Sequence, residues 1–216
     1  MESFSATLDG IPSPRSPGEP LRPMTRGAMS REVQIGFFGK TQATEVLELL
    51  VDEVAGALSL LCPFQLSGPV TDDEAVEDRP GADGSVRVAI RYGFKTPRGV
   101  RMGFLQLPLD SALTLAGNLL MLPTAELRES IRKEAPDEGE KEALMEAGEL
   151  LGSAFQHQLQ KRLTDETVVQ FFGCQGVGPD QAPWVASYGG EPIAVRRHLA
   201  GFEGFEPFEL MVAIPA

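Results

Sequence analysis

Residues 137–163 of the chain read DEGEKEALMEAGELLGSAFQHQLQKRL, the longest stretch of helical pattern in the sequence. Apolar side chains recur along it at helical spacing, which predicts one long helix with a continuous buried stripe. The stripe consists of Leu144, Ala147, Leu151, Phe155 and Leu159. On a helical wheel, the polar side chains of the opposite face fall within about 60° of one another. They are Glu142, Glu146, Glu149, Ser153 and Gln160.

We call Glu142, Glu146, Glu149 and Ser153 the carboxylate ridge. An amphipathic helix turns such a face to solvent, so the ridge is predicted to be exposed. Paired carboxylates three residues apart could also hold a metal or act as acid and base. No histidine stands at ligand spacing, however, and His157 projects to one side. We therefore predict neither a metal nor a cofactor.

The sequence around this helix alternates between helical and β-strand patterns. Residues 44–61 repeat apolar side chains at helical spacing and end before Pro63, while residues 86–92 and 100–107 are predicted to form a β-hairpin. Further elements are expected as a helix at 111–121, a charged and partly helical connection at 124–133, and strands at 31–38, 166–173, 184–188, 192–199 and 208–214. This order predicts an α+β domain, an antiparallel sheet with long helices packed on one face.

Two shorter stretches carry only part of a binding motif. Residues 173–178, GCQGVG, are rich in glycine. They lack a Lys-Ser/Thr pair and do not open a helix, so they predict a turn and not a phosphate loop. His198 follows Arg196 and Arg197 in a compact cationic cluster and is expected at a solvated strand end.

Residues 1–30 lack any apolar periodicity. Their prolines prevent a packed element, which predicts a disordered, proline-rich arm followed by one folded domain at 31–216. These prolines are Pro12, Pro14, Pro17, Pro20 and Pro23.

The charge balance excludes several classes of partner. The chain has 216 residues, with 19 Lys and Arg against 31 Asp and Glu, and a formal net charge of −12. This excess repels nucleic acid and anionic membrane surfaces.

No apolar run approaches the roughly 18 to 20 residues of a membrane span and no signal peptide is recognisable, so a cytoplasmic protein is expected. Cys62 and Cys174 are too isolated for a disulfide framework or a zinc site.

Several stretches, taken in order, resemble the CheC/CheX/FliY family of chemotaxis phosphatases. Residues 143–155, ALMEAGELLGSAF, resemble the signature helix of that family, in which Glu-x-x-Asn is followed by apolar and small residues. Residues 103–108 and 112–120 look like the strand and helix before the signature, and residues 208–215 look like the closing strand. The helix at 44–61 would be the equivalent first helix. The resemblance implies a CheX-like α+β domain.

For the function, the resemblance implies binding to a response regulator and hydrolysis of its phosphoaspartate. The signature Glu would form a salt bridge with the active-site lysine of the regulator, and the Asn would orient water for in-line attack. Glu146 stands at the Glu position, whereas Glu149 stands where the family has Asn. These two are the candidate catalytic residues. Glu142 and Ser153, on the same ridge, are the candidate partner contacts.

The carboxylate at position 149 leaves three functions open. A neutral amide donates and accepts hydrogen bonds, whereas an ionised carboxylate only accepts them and repels a phosphoryl group. The first function is a signalling module that binds a response regulator or another signalling protein with weak or no phosphatase activity. The second is an active phosphatase that uses Glu146 and Glu149. The third is an oligomerising structural protein related to flagellar switch components, and a homodimer is left open.

Overall fold

A computed structural model describes residues 40–70, 85–96, 99–162, 167–178 and 193–215 of the chain. The arm predicted at 1–30 and the strands predicted at 31–38 and 184–188 lie outside these residues. The described part contains the long helix, the hairpin and the strands that complete the sheet.

The described ranges contain six strands that form one sheet. They are β1 (Phe64–Pro69), β2 (Arg87–Thr96), β3 (Gly99–Pro108), β4 (Val168–Val177), β5 (Ile193–Phe202) and β6 (Phe208–Pro215). Their order across the sheet is β1-β5-β6-β3-β2-β4, and neighbouring strands are antiparallel. β1 and β4 therefore form the two edges.

The helices in these ranges are α1 (Lys40–Leu61), α2 (Leu109–Leu119), α3 (Thr124–Ser130) and α4 (Glu138–Arg162). The apolar stripe of α4 is buried with apolar residues of α1 and α2 and with alternate residues of the strands. The prediction of an α+β fold, an antiparallel sheet with long helices on one face, is confirmed. No helix of the described part combines the length and apolar character that a membrane span needs.

The sequence interpretation missed β1. This strand follows α1 after Pro63 and pairs with β5 at the edge of the sheet. Phe64 is buried and Leu66 is partly buried, and Pro69 ends the strand. Two inward residues give too short an alternation to identify a strand from sequence.

The turn predicted at 173–178 is wrong, because β4 continues to Val177. The register with β2 shifts between Arg91 and Tyr92, so that Phe172 is the extra residue of a β-bulge. Gly173 follows with a φ of 103°, a conformation that glycine adopts without the strain of a side chain. The Arg91 guanidinium donates to the Phe172 carbonyl oxygen at 3.1 Å and satisfies this group of the bulge.

The backbone of α4 lies very close to the sheet at Gly148 and Gly152. A Cβ atom on Gly148 would overlap the ring of Phe171 and lie 3.1 Å from Ile90 Cγ2. A Cβ atom on Gly152 would lie 3.2 Å from the Tyr92 ring. The small residues of the 143–155 stretch therefore have a packing role, since they let the helix rest directly on β2 and β4.

Replacing Gly148 by Ala should destabilise the fold by about 1 to 3 kcal/mol, because the added methyl group must displace the Phe171 ring or the helix. The matched control is Gly56→Ala in α1, where nothing lies within 4 Å of the added Cβ atom. This control should be neutral or stabilising by up to about 1 kcal/mol, since alanine favours a helix. Chemical denaturation measures the free energy of unfolding of both variants. Equal values for Gly148→Ala and Gly56→Ala would contradict the close approach of α4 to the sheet.

Candidate functional site

All four residues of the carboxylate ridge are exposed on α4. On the opposite face, Leu144, Leu151 and Phe155 are 2%, 0% and 1% exposed. The helix runs without a break from Glu138 to Arg162. The predicted assignment of the two faces is therefore confirmed.

Two hydrogen bonds from the sheet fix the rotation of α4 beneath the ridge. Tyr92 on β2 donates from its hydroxyl to the Gly148 carbonyl oxygen at 3.2 Å, and the Cys174 thiol on β4 donates to the Leu144 carbonyl oxygen at 3.5 Å. Burial raises the pKa of Tyr92 well above its usual value and raises the pKa of Cys174 to about 11, so both groups stay protonated donors. The two acceptors lie one helical turn apart, on either side of Glu146 in the sequence.

α4 begins with a reciprocal capping box. The Glu140 backbone N–H donates to Asp137 Oδ1 at 3.0 Å, and the Asp137 backbone N–H donates to Glu140 Oε2 at 2.9 Å. The sequence interpretation missed these two residues, although Asp-x-x-Glu ahead of an apolar stripe is a signal for this motif. The box fixes where the helix begins.

Glu140 is also a buried carboxylate, 1% exposed, at the connection between α3 and α4. Lys133 Nζ lies 2.7 Å from Glu140 Oε1 and 2.7 Å from Asp137 Oδ2, and the Ser130 hydroxyl donates to Glu140 as well. Burial by itself raises the pKa of Glu140. The hydrogen bonds from Lys133, Ser130 and the Asp137 backbone outweigh burial and hold this pKa below its usual value. An ionised carboxylate therefore joins the two helices.

The carboxylate ridge presents hydrogen-bond acceptors to solvent. Within the described ranges, Glu142, Glu146 and Glu149 form no ion pair. The Ser153 hydroxyl donates to the Glu149 carbonyl oxygen at 3.0 Å, which leaves the hydroxyl oxygen as an acceptor. Such a surface suits a cationic group of a partner. Among the described residues, no three His, Cys, Asp or Glu side chains are grouped as a metal site requires.

His198 does not lie at a solvated strand end, so that prediction is wrong. It is half-buried on β5, and neither ring nitrogen has a hydrogen-bond partner among the described residues. Burial lowers its pKa and Arg196 adds to this effect, while Asp52 and Glu48 act in the opposite direction. Arg196 itself lies 3.4 Å from Glu48. Of this cluster, Arg196 is thus paired with a carboxylate of α1.

Solved structures share this arrangement of helices and strands. FliY of Thermotoga maritima matches with a TM-score of 0.59 and 16% identity, over 82% of this chain and 91% of its own. The FliM middle domain of H. pylori has a TM-score of 0.51 and 12% identity, over 79% and 86%. The chemotaxis protein CheX of Vibrio vulnificus has a TM-score of 0.50 and 9% identity, over 78% and 97%.

The chain has the CheC/CheX/FliY fold. The resemblance seen in the sequence is thus confirmed at the level of the fold. α4 covers the stretch that resembles the signature helix, and α1 lies where the resemblance expects the first helix. No family model and no curated protein matches the sequence.

The buried Glu140 carboxylate should make stability depend on pH in the acid range. Its folded-state pKa lies below the usual 4.5, so its stabilising contribution is complete above that pH and is lost as the pH falls through the folded-state pKa. Glu140→Gln should lose about 1 to 3 kcal/mol at pH 7, because charge-assisted hydrogen bonds are removed.

Denaturation of the wild type and of Glu140→Gln between pH 7 and pH 3 measures this pH dependence. The free energy of unfolding should decline more steeply with acid in the wild type than in Glu140→Gln. Glu138→Gln serves as the control, because the Glu138 side chain is 82% exposed in the same helical turn. Parallel curves for the wild type and Glu140→Gln would show that this carboxylate does not carry the acid dependence.

Proposed function

We propose that this chain is a signalling module that binds a response regulator, or a related signalling protein, through the carboxylate ridge, with weak or no aspartyl-phosphatase activity. One observation carries the proposal: an exposed row of acceptors lies on a helix that the sheet holds in a fixed rotation through Tyr92 and Cys174. The CheC/CheX/FliY fold supports the class of partner.

In this proposal, Glu146 pairs with a lysine of the partner, as the family resemblance implies. Glu142 lies one turn before it, and Ser153 lies one turn after Glu149. The ridge therefore extends over roughly 16 Å of helix, which is long enough to contact a partner at several points. Exposed Met145 and Leu150 flank it and add apolar area to the contact.

Glu149 is the reason for expecting weak catalysis. At roughly 4 Å and an effective dielectric near 20, the repulsion between a carboxylate and one phosphoryl charge is about 4 kcal/mol. About 1.4 kcal/mol changes a rate tenfold, so a repulsion of this size lowers the rate more than a hundredfold. α1 offers no Glu-x-x-Asn pair, because Glu48, Val51 and Gly56 stand three residues after Glu45, Glu48 and Glu53.

The likeness to the FliM middle domain favours a second candidate, an oligomerising structural protein related to flagellar switch components. The molar mass from light scattering, measured for the full chain alone and mixed with the regulator, distinguishes the two. A stable oligomer that does not bind a regulator favours the second candidate, whereas a chain that binds the regulator through the ridge favours the first.

The activity test is phosphate release from a phosphorylated response regulator of the same genome, with and without this protein. The unmodified chain should leave the rate close to that of the regulator alone. Glu149→Asn should raise the rate, because a neutral amide can orient water without repelling the phosphoryl group. Glu149→Ala should not raise it.

Binding of the same regulator should weaken at least tenfold in Glu146→Ala. Glu126→Ala, an exposed carboxylate on α3, is the control and should leave binding unchanged. High activity of the unmodified chain that persists in Glu149→Ala would place the chemistry elsewhere and overturn the proposed role of the ridge.

A further inference from the structure

Among the described strands, β4 forms one edge of the sheet and pairs with β2 on its inner side. Its ten residues, VVQFFGCQGV, include no charged side chain and no proline. An edge strand of this kind can pair with another strand, and proteins limit that with charges, prolines or bulges. In β4 the bulge at Phe172 ends a regular first half, residues 168–171.

A side chain from α4 satisfies main-chain groups along this first half. Gln156 Nε2 donates to the Thr167 carbonyl oxygen at 2.9 Å, and Gln156 Oε1 accepts from the Val169 N–H. These two groups flank Val168. One residue of a neighbouring parallel strand would use the same pair, donating its N–H to Thr167 and accepting at its carbonyl from Val169. The Gln156 amide therefore takes the place of the N–H and C=O of one such residue.

A groove of about 440 Å³ lies between α4 and this part of β4. Val169 and Phe171 line it from the strand and pack against the core, while Ser153 and Gln160 line it from the helix. Glu149 also lines the groove and brings a carboxylate to it. The groove thus offers an edge of main-chain groups, an apolar side and one negative charge.

We propose that this groove binds an extended peptide segment of a partner protein, which adds to β4 as a parallel strand along residues 167–171 and displaces the amide of Gln156. The segment is about five residues long, because the bulge at Phe172 ends the regular edge. The groove shares Glu149 and Ser153 with the carboxylate ridge, but peptide binding there does not require a response regulator.

The groove also defines the chemistry of the peptide. Side chains alternate along a strand, so residues opposite Val169 and Phe171 point toward α4. The third residue of the peptide lies opposite Val169 and should be apolar. The fifth lies opposite Phe171, toward the Glu149 end of α4, and should be Lys or Arg. A second copy of β4 does not fit, since edges related by a two-fold axis pair antiparallel, whereas Gln156 marks a parallel pattern.

The probe is a labelled peptide, acetyl-Thr-Thr-Val-Thr-Lys-amide, titrated with the full-length protein in the absence of any regulator. Saturable binding should shift NMR amide signals mainly at residues 167–171. The same peptide N-methylated at its second and fourth residues lacks the N–H donors to the Thr167 and Val169 carbonyls. It should bind at least tenfold more weakly.

Variants separate the main-chain and charge contributions. Gln156→Ala removes the competing amide and should raise the affinity about tenfold. Glu149→Gln should weaken binding about threefold to tenfold for the lysine peptide and leave a norleucine peptide unaffected. Gln65→Ala, an exposed residue of β1 at the other edge, is the control and should change nothing.

Equal binding of the N-methylated and parent peptides would overturn the proposal, and so would amide shifts away from residues 167–171. No binding to either the wild type or Gln156→Ala at millimolar peptide would overturn it too. The comparison of the parent and N-methylated peptides on the wild-type protein decides the question even if Gln156→Ala does not fold. Peptide binding without regulator binding would contradict the proposed function alone, and the reverse result would contradict the groove alone.

Discussion

The contact between the backbone of α4 and the ring of Phe171 is the constraint on which the site depends. Gly148 has no side chain, so the helix rests directly on the sheet, and the Tyr92 hydroxyl reaches the Gly148 carbonyl oxygen. With the helix at this distance, Leu151 and Phe155 fill the space above the strands. The outward direction of the ridge is thus a consequence of packing on the opposite face.

Polar groups determine where α4 begins and how its second half is held. The buried carboxylate of Glu140 joins the helix start to Lys133, and the Gln156 side chain in the other half accepts a hydrogen bond from Val169 of β4. Gln158 donates to Glu53 on α1. An apolar stripe alone tolerates small shifts along and around the helix axis, whereas hydrogen bonds are directional. Together these contacts give the helix one register on the sheet.

The long periodic elements of this fold could be predicted from sequence, and the irregular ones could not. The stripe of α4 repeats over many turns, and the hairpin strands alternate over several residues. β1 is too short to be recognised, and at Phe172 a bulge breaks the alternation in β4. For the site, the helical wheel predicts the exposure of Glu146 and Glu149. The bond from Tyr92 to Gly148 depends on residues far apart in the chain, so no local pattern reveals it.

The order of the strands also determines when the sheet can form. β1 pairs with β5, and β3 pairs with β6, so strands made early receive partners from residues 193–215. Such pairs require long loops to close first, which makes folding slow. On the ribosome, apolar side chains such as Phe64 and Leu105 therefore remain without part of their packing until those residues emerge. During that interval, the exposed apolar surface makes the nascent chain prone to aggregation.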